Sequence, residues 1–183
     1  MDPLVAHQRA QDVFAAVLAA VTPHQMGAPT PCTEWTVGDL IGHLIGGNER
    51  VLIRAGLRSE PGASWPADLI EAHRASAAAA HQVFAAPDGM TAIFELPIGP
   101  VPGSTFVWMR AVDGLVHAWD LARATGQSTD LDPELAAYLL AGSRGRATDA
   151  LRGPGKVFGY PQPCDEARPP ADQLAAFLGR TVG

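Results

Sequence analysis

Apolar side chains recur every three or four residues along most of this chain, the spacing of one face of an α-helix. Over residues 2–22, Leu4, Val5, Val13, Phe14, Val17, Leu18 and Val21 form such a face, with Asp2 placed as a cap, Pro3 in the first turn and Pro23 as a stop. A second helix is predicted over residues 36–57 from Val37, Leu40, Ile41, Leu44, Ile45 and Leu52, and Thr36 and Asp39 have capping-box spacing at its start. The third, over residues 66–86, is Ala-rich, carries Leu69, Ile70, Val83 and Phe84, and ends before Pro87. A fourth runs over residues 104–125 with Gly126 as its stop, a fifth starts at Asp132-Pro133 and reaches about residue 151, and a short last helix covers 171–178.

Two stretches break the pattern. DGMTAIFELPIGPVPGS (88–104) holds three Pro and three Gly, and is expected to be a long connection with at most a short extended piece over residues 91–96. RGPGKVFGYPQPCDEARPPADQ (152–173) has too few apolar residues for a core of its own, so the tail is expected to wrap the helices. No internal repeat is visible. The elements together predict an all-α protein: a four-helix bundle with an extra helix and an irregular C-terminal tail, with residues 1–183 as one domain.

Composition narrows the classes of function. With 183 residues and 47% hydrophobic content the chain can bury a core without staples. Its net charge is −6, and its 13 basic residues, Lys156 the sole lysine, are nowhere massed, so nucleic acid is not expected as a partner. No window is apolar for long enough to span a bilayer and the N-terminus has no leader pattern, so a cytoplasmic protein without membrane contact is expected. Cys32 and Cys164 lack CxxC spacing and suggest neither a disulfide framework nor a cysteine-only zinc site, though a single bridge between them stays open. A monomer and a homodimer are equally compatible with the pattern.

Candidate chemistry concentrates on the fourth helix. Trp108, Val112, Leu115 and Trp119 make one stripe, and nearly opposite it lie Phe106, Arg110, Asp113 and His117. Burying an Asp and a His without partners costs several kcal/mol on the order of magnitude expected for polar groups, so this second side needs a reason. An Asp–His pair at i, i+4 on a solvated face is one reason and a metal ion is another. His43, between Gly42 and Gly46-Gly47, lies off the centre of the Leu40, Ile41, Leu44 stripe, which fits a rim facing a cavity as well as a surface position. Two imidazoles and a carboxylate from two helices are a common three-ligand set with one position open, suited to zinc and also to nickel, iron or manganese.

The remaining residues carry weaker signals. Arg110 is placed to contact a substrate anion or to neutralise Asp113, and Asp120 to orient a ligand imidazole or to pair with Arg123, the pairing being the commoner pattern. Trp35 and Trp119 read as packing, Cys32 as a structural thiol, and His7, His24, His73 and His81 as surface or packing residues. Glu49 is poorly placed to act as a general base beside His43.

TPCTEWTVGDLIGHLIGG (30–47) and DGLVHAWDLARATG (113–126) resemble the actinobacterial branch of the DinB-like superfamily, the group that includes the N-terminal metal-binding domain of mycothiol-dependent maleylpyruvate isomerase. LAAFLGR (174–180) is similar to the end of an uncharacterised single-domain subfamily there. The resemblance implies an up-down-down-up four-helix bundle and metal ligands at His43, Asp113 and His117, with Asp113 standing where the isomerase relatives have Glu. It further implies a divalent metal, zinc first, and mycothiol as co-substrate of a thiol transferase or isomerase acting on a small electrophile. Maleylpyruvate itself is not carried over, because the isomerase has a further C-terminal domain contributing to its site. A non-catalytic ligand-binding or sensing bundle is the alternative, and metal-assisted hydrolysis a third reading.

Overall fold

A computed structural model describes residues 1–33, 35–60, 68–146, 152–153 and 158–183. Helix α1 (Pro3–Leu18) begins where Asp2 Oδ1 accepts from the amides of Leu4 and Val5 at 2.8 and 3.3 Å. Helix α2 (Val37–Arg54) opens on the expected capping box: Thr36 Oγ1 accepts from the Asp39 amide at 3.2 Å, and Asp39 Oδ2 from the Thr36 amide at 2.9 Å. Asp68 caps helix α3 (Leu69–Ala85) in the same manner as Asp2 caps α1. A hairpin of β1 (Ile93–Leu96) and β2 (Gly99–Pro102) leads into α4 (Gly103–Thr125), which is followed by α5 (Pro133–Arg146) and α6 (Pro170–Phe177).

Helix ends depart from the periodicity where backbone chemistry intervenes. The first helix stops at Leu18 rather than residue 22: Thr22 is extended and opens a one-turn 3-10 helix, Pro23–Gln25, its amide donating to Gln25 Oε1 at 2.9 Å. The second stops at Arg54 rather than residue 57: Gly56 takes φ +72°, and the Leu57 amide returns to the Leu52 carbonyl at 2.9 Å, a Schellman closure. Gly126, at φ +74°, ends α4 as expected. The predicted residues 66–67 of the third helix and 147–151 of the fifth lie outside the described residues.

The connection over residues 88–104 is a correction to the sequence reading. Instead of a loop with one extended piece it forms an antiparallel pair, Ile93 opposite Pro102 and Leu96 opposite Gly99. Prolines at 100 and 102 are tolerated because a two-stranded sheet has only edge strands. Phe94 is buried against Phe84 and Phe106, with ring centroids 6.0 and 5.3 Å away. The hairpin also starts the site helix. Pro102 offers α4 no side-chain cap, and the carbonyls of Ala92 and Met90 take the first amides, Gly103 at 2.9 Å and Ser104 at 2.8 Å.

Among the described residues the fold is all-α apart from this hairpin, with α1–α4 as a four-helix bundle and α5 and α6 packed on its flank. Helix α4 is its centre. Trp108, Val112, Leu115 and Trp119 are buried against α1, α5 and α6, while Ala118, Leu121 and Ala122 face α1 and α2. Gly114 brings α1 close, since a Cβ there would lie 3.2 Å from Ala10 Cβ. Among the described residues no helix is long and apolar enough to cross a membrane.

Candidate metal centre

Asp113 and His117 are one turn apart on α4, and α2 lays His43 across from them. The Nε2 atoms of His43 and His117 lie 3.4 and 3.5 Å from the same oxygen, Asp113 Oδ1. One potential ligand atom from each residue fits within 4.8 Å of the other two, a span that a single ion can bridge. His117 is buried, with 7% of its side chain exposed, whereas His43 and Asp113 are at 26% and 27% and reach the wall of a cavity of about 690 Å³. Trp35 lies over both imidazoles, with ring centroids 4.5 Å from His43 and 5.6 Å from His117. Its position comes from the turn before α2, where the Thr30 amide and hydroxyl both reach the Trp35 carbonyl, at 3.1 and 3.0 Å.

Asp113 and His117 are each held from behind. Arg110 Nη1 donates to Asp113 Oδ2 at 2.7 Å, leaving Oδ1 to the imidazoles. His117 Nδ1 stands 2.9 Å from Asp120 Oδ2, which leaves Nε2 as the outward nitrogen. Asp120, wholly buried, is gripped by Arg180 from beyond α6: Nε to Oδ1 at 3.2 Å and Nη2 to Oδ2 at 2.8 Å. Burial pushes the Asp113 carboxyl up, but the Arg110 charge and the nearby His117 and His43 outweigh it and hold the group well below the usual range. His117 is the mirror image. Burial pulls it down, yet Asp113, Asp120 and Cys32 together leave it well above the ordinary histidine value.

Cys32, His117 and Asp120 form a second cluster with metal-ligand spacing among the described residues. Its acceptors are already occupied: both Asp120 oxygens are on Arg180, and Arg180 Nη2 also donates to Cys32 Sγ at 3.1 Å. A fixed guanidinium thus sits where a cation would need to be. The His43, Asp113 and His117 set has no such obstruction at Oδ1, and its two nitrogens and one oxygen suit a borderline divalent ion.

The structure gathers the sequence candidates unevenly. His43, Asp113 and His117 come together, and Arg110 and Cys32 line the same cavity. Asp120 does not follow the expected pairing with Arg123; it takes Arg180 and His117 instead, because it points into the bundle beside the ligand imidazole. Cys32 and Cys164 are both free thiols, so the bridge left open by the sequence is not formed. His7 and His73 are buried and His24 is exposed, as packing and surface roles require. Glu49 Oε1 accepts from Arg58 at 2.8 Å, away from the ligand set. Sequence reasoning assigned no chemistry to Arg180 and passed over Asn48. The signal for Asn48 was present, an amide on the Leu40, Leu44, Val51 stripe, where an unpaired polar group is costly.

Residues 7–122 match the family described as the mycothiol maleylpyruvate isomerase N-terminal domain. Two uncharacterised proteins from two strains of Mycobacterium tuberculosis are each 61% identical over 182 residues, covering all of this chain and all of their own. The crystal structure of a mycothiol-dependent maleylpyruvate isomerase superposes with a TM-score of 0.58 at 19% identity, covering 76% of this chain and 66% of that one. A variant of that enzyme gives 0.57 at 18%. The chain therefore belongs to the mycothiol maleylpyruvate isomerase N-terminal domain family, and it shares the fold of the solved isomerase while spanning just under two thirds of its length.

Proposed function

We propose that His43, Asp113 and His117 hold a divalent metal ion, zinc first, and that the protein uses it with a low-molecular-weight thiol, mycothiol, to transfer to or isomerise a small electrophile. The observation that carries this reading is the convergence of two imidazole nitrogens on one carboxylate oxygen at the cavity wall, 3.4 and 3.5 Å away. The family's own description, which names mycothiol and an isomerase, supports the thiol and the reaction class. We read the whole chain as one such domain.

When bound, the ion would lower the pKa of a coordinated thiol and present it as a thiolate. The chain's residues supply the rest. Asp120 keeps Nδ1 of His117 engaged, so that the imidazole offers Nε2. Trp35 covers the two imidazoles and limits water beside them. Phe106, Met109, Val112, Val116 and Leu178 form an apolar wall that can receive the body of the electrophile.

The test begins with metal content of protein purified without chelator or affinity metal, for wild type, His43→Ala and Asp113→Ala. About one equivalent in the wild type and loss in both variants is the expected result. Thiol-dependent turnover of an electrophile panel then follows. Thiol binding without turnover favours the ligand-binding alternative, and a thiol-independent, pH-dependent rate favours hydrolysis. No metal after reconstitution with zinc, nickel, iron or manganese overturns the proposal.

A further inference from the structure

Arg110 is the least expected part of this site. It is only 7% exposed, and its Nε has no hydrogen-bond partner among the described residues. A buried guanidinium with a donor left over is costly, so its placement calls for a reason other than stability. Its other two nitrogens each have one partner. Nη1 reaches Asp113 Oδ2 at 2.7 Å, and Nη2 reaches Asn48 Oδ1 at 3.1 Å.

The surroundings are shaped to this one conformation. A Cβ at Gly47 would stand 2.6 Å from both Nη atoms, so the guanidinium lies flat against the α2 backbone only because residue 47 has no side chain. Asn48, fully buried, is itself fixed: its Nδ2 donates to Gln11 Oε1 at 3.1 Å and to Ser76 Oγ at 3.3 Å. Gln11 Oε1 also meets His73 Nε2 at 3.0 Å. One hydrogen-bonded chain thus crosses α1, α2, α3 and α4 and ends on a single oxygen of Asp113.

We propose that Arg110 is a positioning residue that sets how Asp113 binds metal: by occupying Oδ2 it makes the carboxylate a one-oxygen ligand, and so selects an ion content with few ligands. This rests on the metal reading above. An ion that prefers four-coordinate sites with nitrogen donors is served by Oδ1 alone, whereas manganese and calcium gain from a second oxygen and a larger oxygen count. The clamp also suits a carboxylate on a short stem, whose two oxygens cannot retreat from the ion as those of a longer side chain can. On this view the role of Arg110 is to hold Asp113, with Nη1 on that carboxylate and Nη2 on Asn48, rather than to contact a substrate anion.

The experiment compares wild type, Arg110→Met, Arg110→Lys and Gly47→Ala, each checked for folding by circular dichroism. Two readouts are taken: the ratio of zinc to manganese affinity by competition, and the visible absorption of the cobalt(II)-loaded protein, which is strong for four-coordinate and weaker for higher coordination. Gly47→Ala keeps every hydrogen-bonding residue and adds a good helix former, so it remains informative where the Arg110 variants fold poorly. The expected result is a fall in the zinc-to-manganese ratio of about tenfold or more in folded variants, with a weakened cobalt band. An unchanged ratio and spectrum in folded Arg110→Met or Gly47→Ala overturns this inference alone. A wild type that binds no metal overturns both it and the proposed function.

Discussion

Arg180 reaches back sixty residues to grip Asp120, Nη2 to Oδ2 at 2.8 Å, and the same oxygen stands 2.9 Å from Nδ1 of His117. The C-terminal segment is thereby part of the candidate metal centre without touching the ligand set. Asp120 is held ionised: burial pushes its carboxyl up, and the stronger combined pull of His117 and Arg180 sets it below its ordinary value. Arg180→Ala should leave a buried carboxylate with one partner fewer and the imidazole less firmly oriented. Metal retention against a chelator is expected to drop by about 10- to 100-fold, with Arg180→Lys recovering only part, since an ammonium cannot make the two-point contact. Equal retention in wild type and Arg180→Ala would show that the tail has no bearing on the site.

The register of the site helix is predicted to depend on Gly103. A Cβ at this position would overlap the carbonyl of Gly89, which leaves no room for a side chain where the hairpin feeds α4. Gly103→Ala should destabilise the fold by about 3 kcal/mol or more, an overpacking cost against backbone that cannot move aside easily. Urea denaturation decides the matter, and a loss below about 1 kcal/mol would mean that the hairpin shifts freely and does not fix α4.

How much of this was legible in the chain depends on the range of each interaction. Caps at Asp2, Thr36 and Gly126 are local, so the sequence announced them, and Asp113 with His117 follows from helical spacing alone. The offset of His43 on its helix fits a cavity rim and a surface position alike, and only the resemblance puts it in the ligand set. The hairpin escaped notice because β2 is Gly-Pro-Val-Pro, a segment without strand propensity that is held by pairing and by the burial of Phe94. Arg180 escaped for a different reason. Its partner lies far off in the chain, while Arg123 offers Asp120 a plausible neighbour at i+3. Gly47, beside His43, is room for a guanidinium from α4, a long-range use of a glycine that helical spacing does not reveal.

Two buried histidines predict the response to acid. His73 is pulled from 6.5 to about 4, by burial first and by the charges of Arg110 and Arg74 next, and His7 to about 3 by burial, Arg110, His81 and His73. Both are neutral in the folded state and become protonated more readily when unfolded. Above pH 6.5 neither state carries the proton and stability is complete; as pH falls from 6.5 towards 4 the unfolded state gains protons that the folded state refuses, and stability is lost. His73 alone accounts for up to about 3 kcal/mol of that loss. His73→Asn, which retains a donor for Gln11, should flatten the dependence of unfolding free energy on pH across this window. Parallel curves for wild type and variant would show that His73 titrates normally in the fold.

The last link between packing and site runs through Trp119. Its Nε1 donates to Asp172 Oδ1 at 2.7 Å, and both residues are almost completely buried where α4 meets α6. Asp172→Ala leaves the indole N–H without an acceptor, which should cost about 1–3 kcal/mol, whereas Asp172→Asn keeps an oxygen in place and should cost less. Because α6 leads directly to Arg180, loosening it should also relax the grip on Asp120. Asp172→Ala is therefore expected to lower both the unfolding free energy and metal retention, while Asp172→Asn preserves most of each. A variant that loses stability yet retains metal as well as wild type would separate α6 packing from the site, and would place the anchoring of Arg180 in its own contacts with Asp120 and the Leu178 carbonyl.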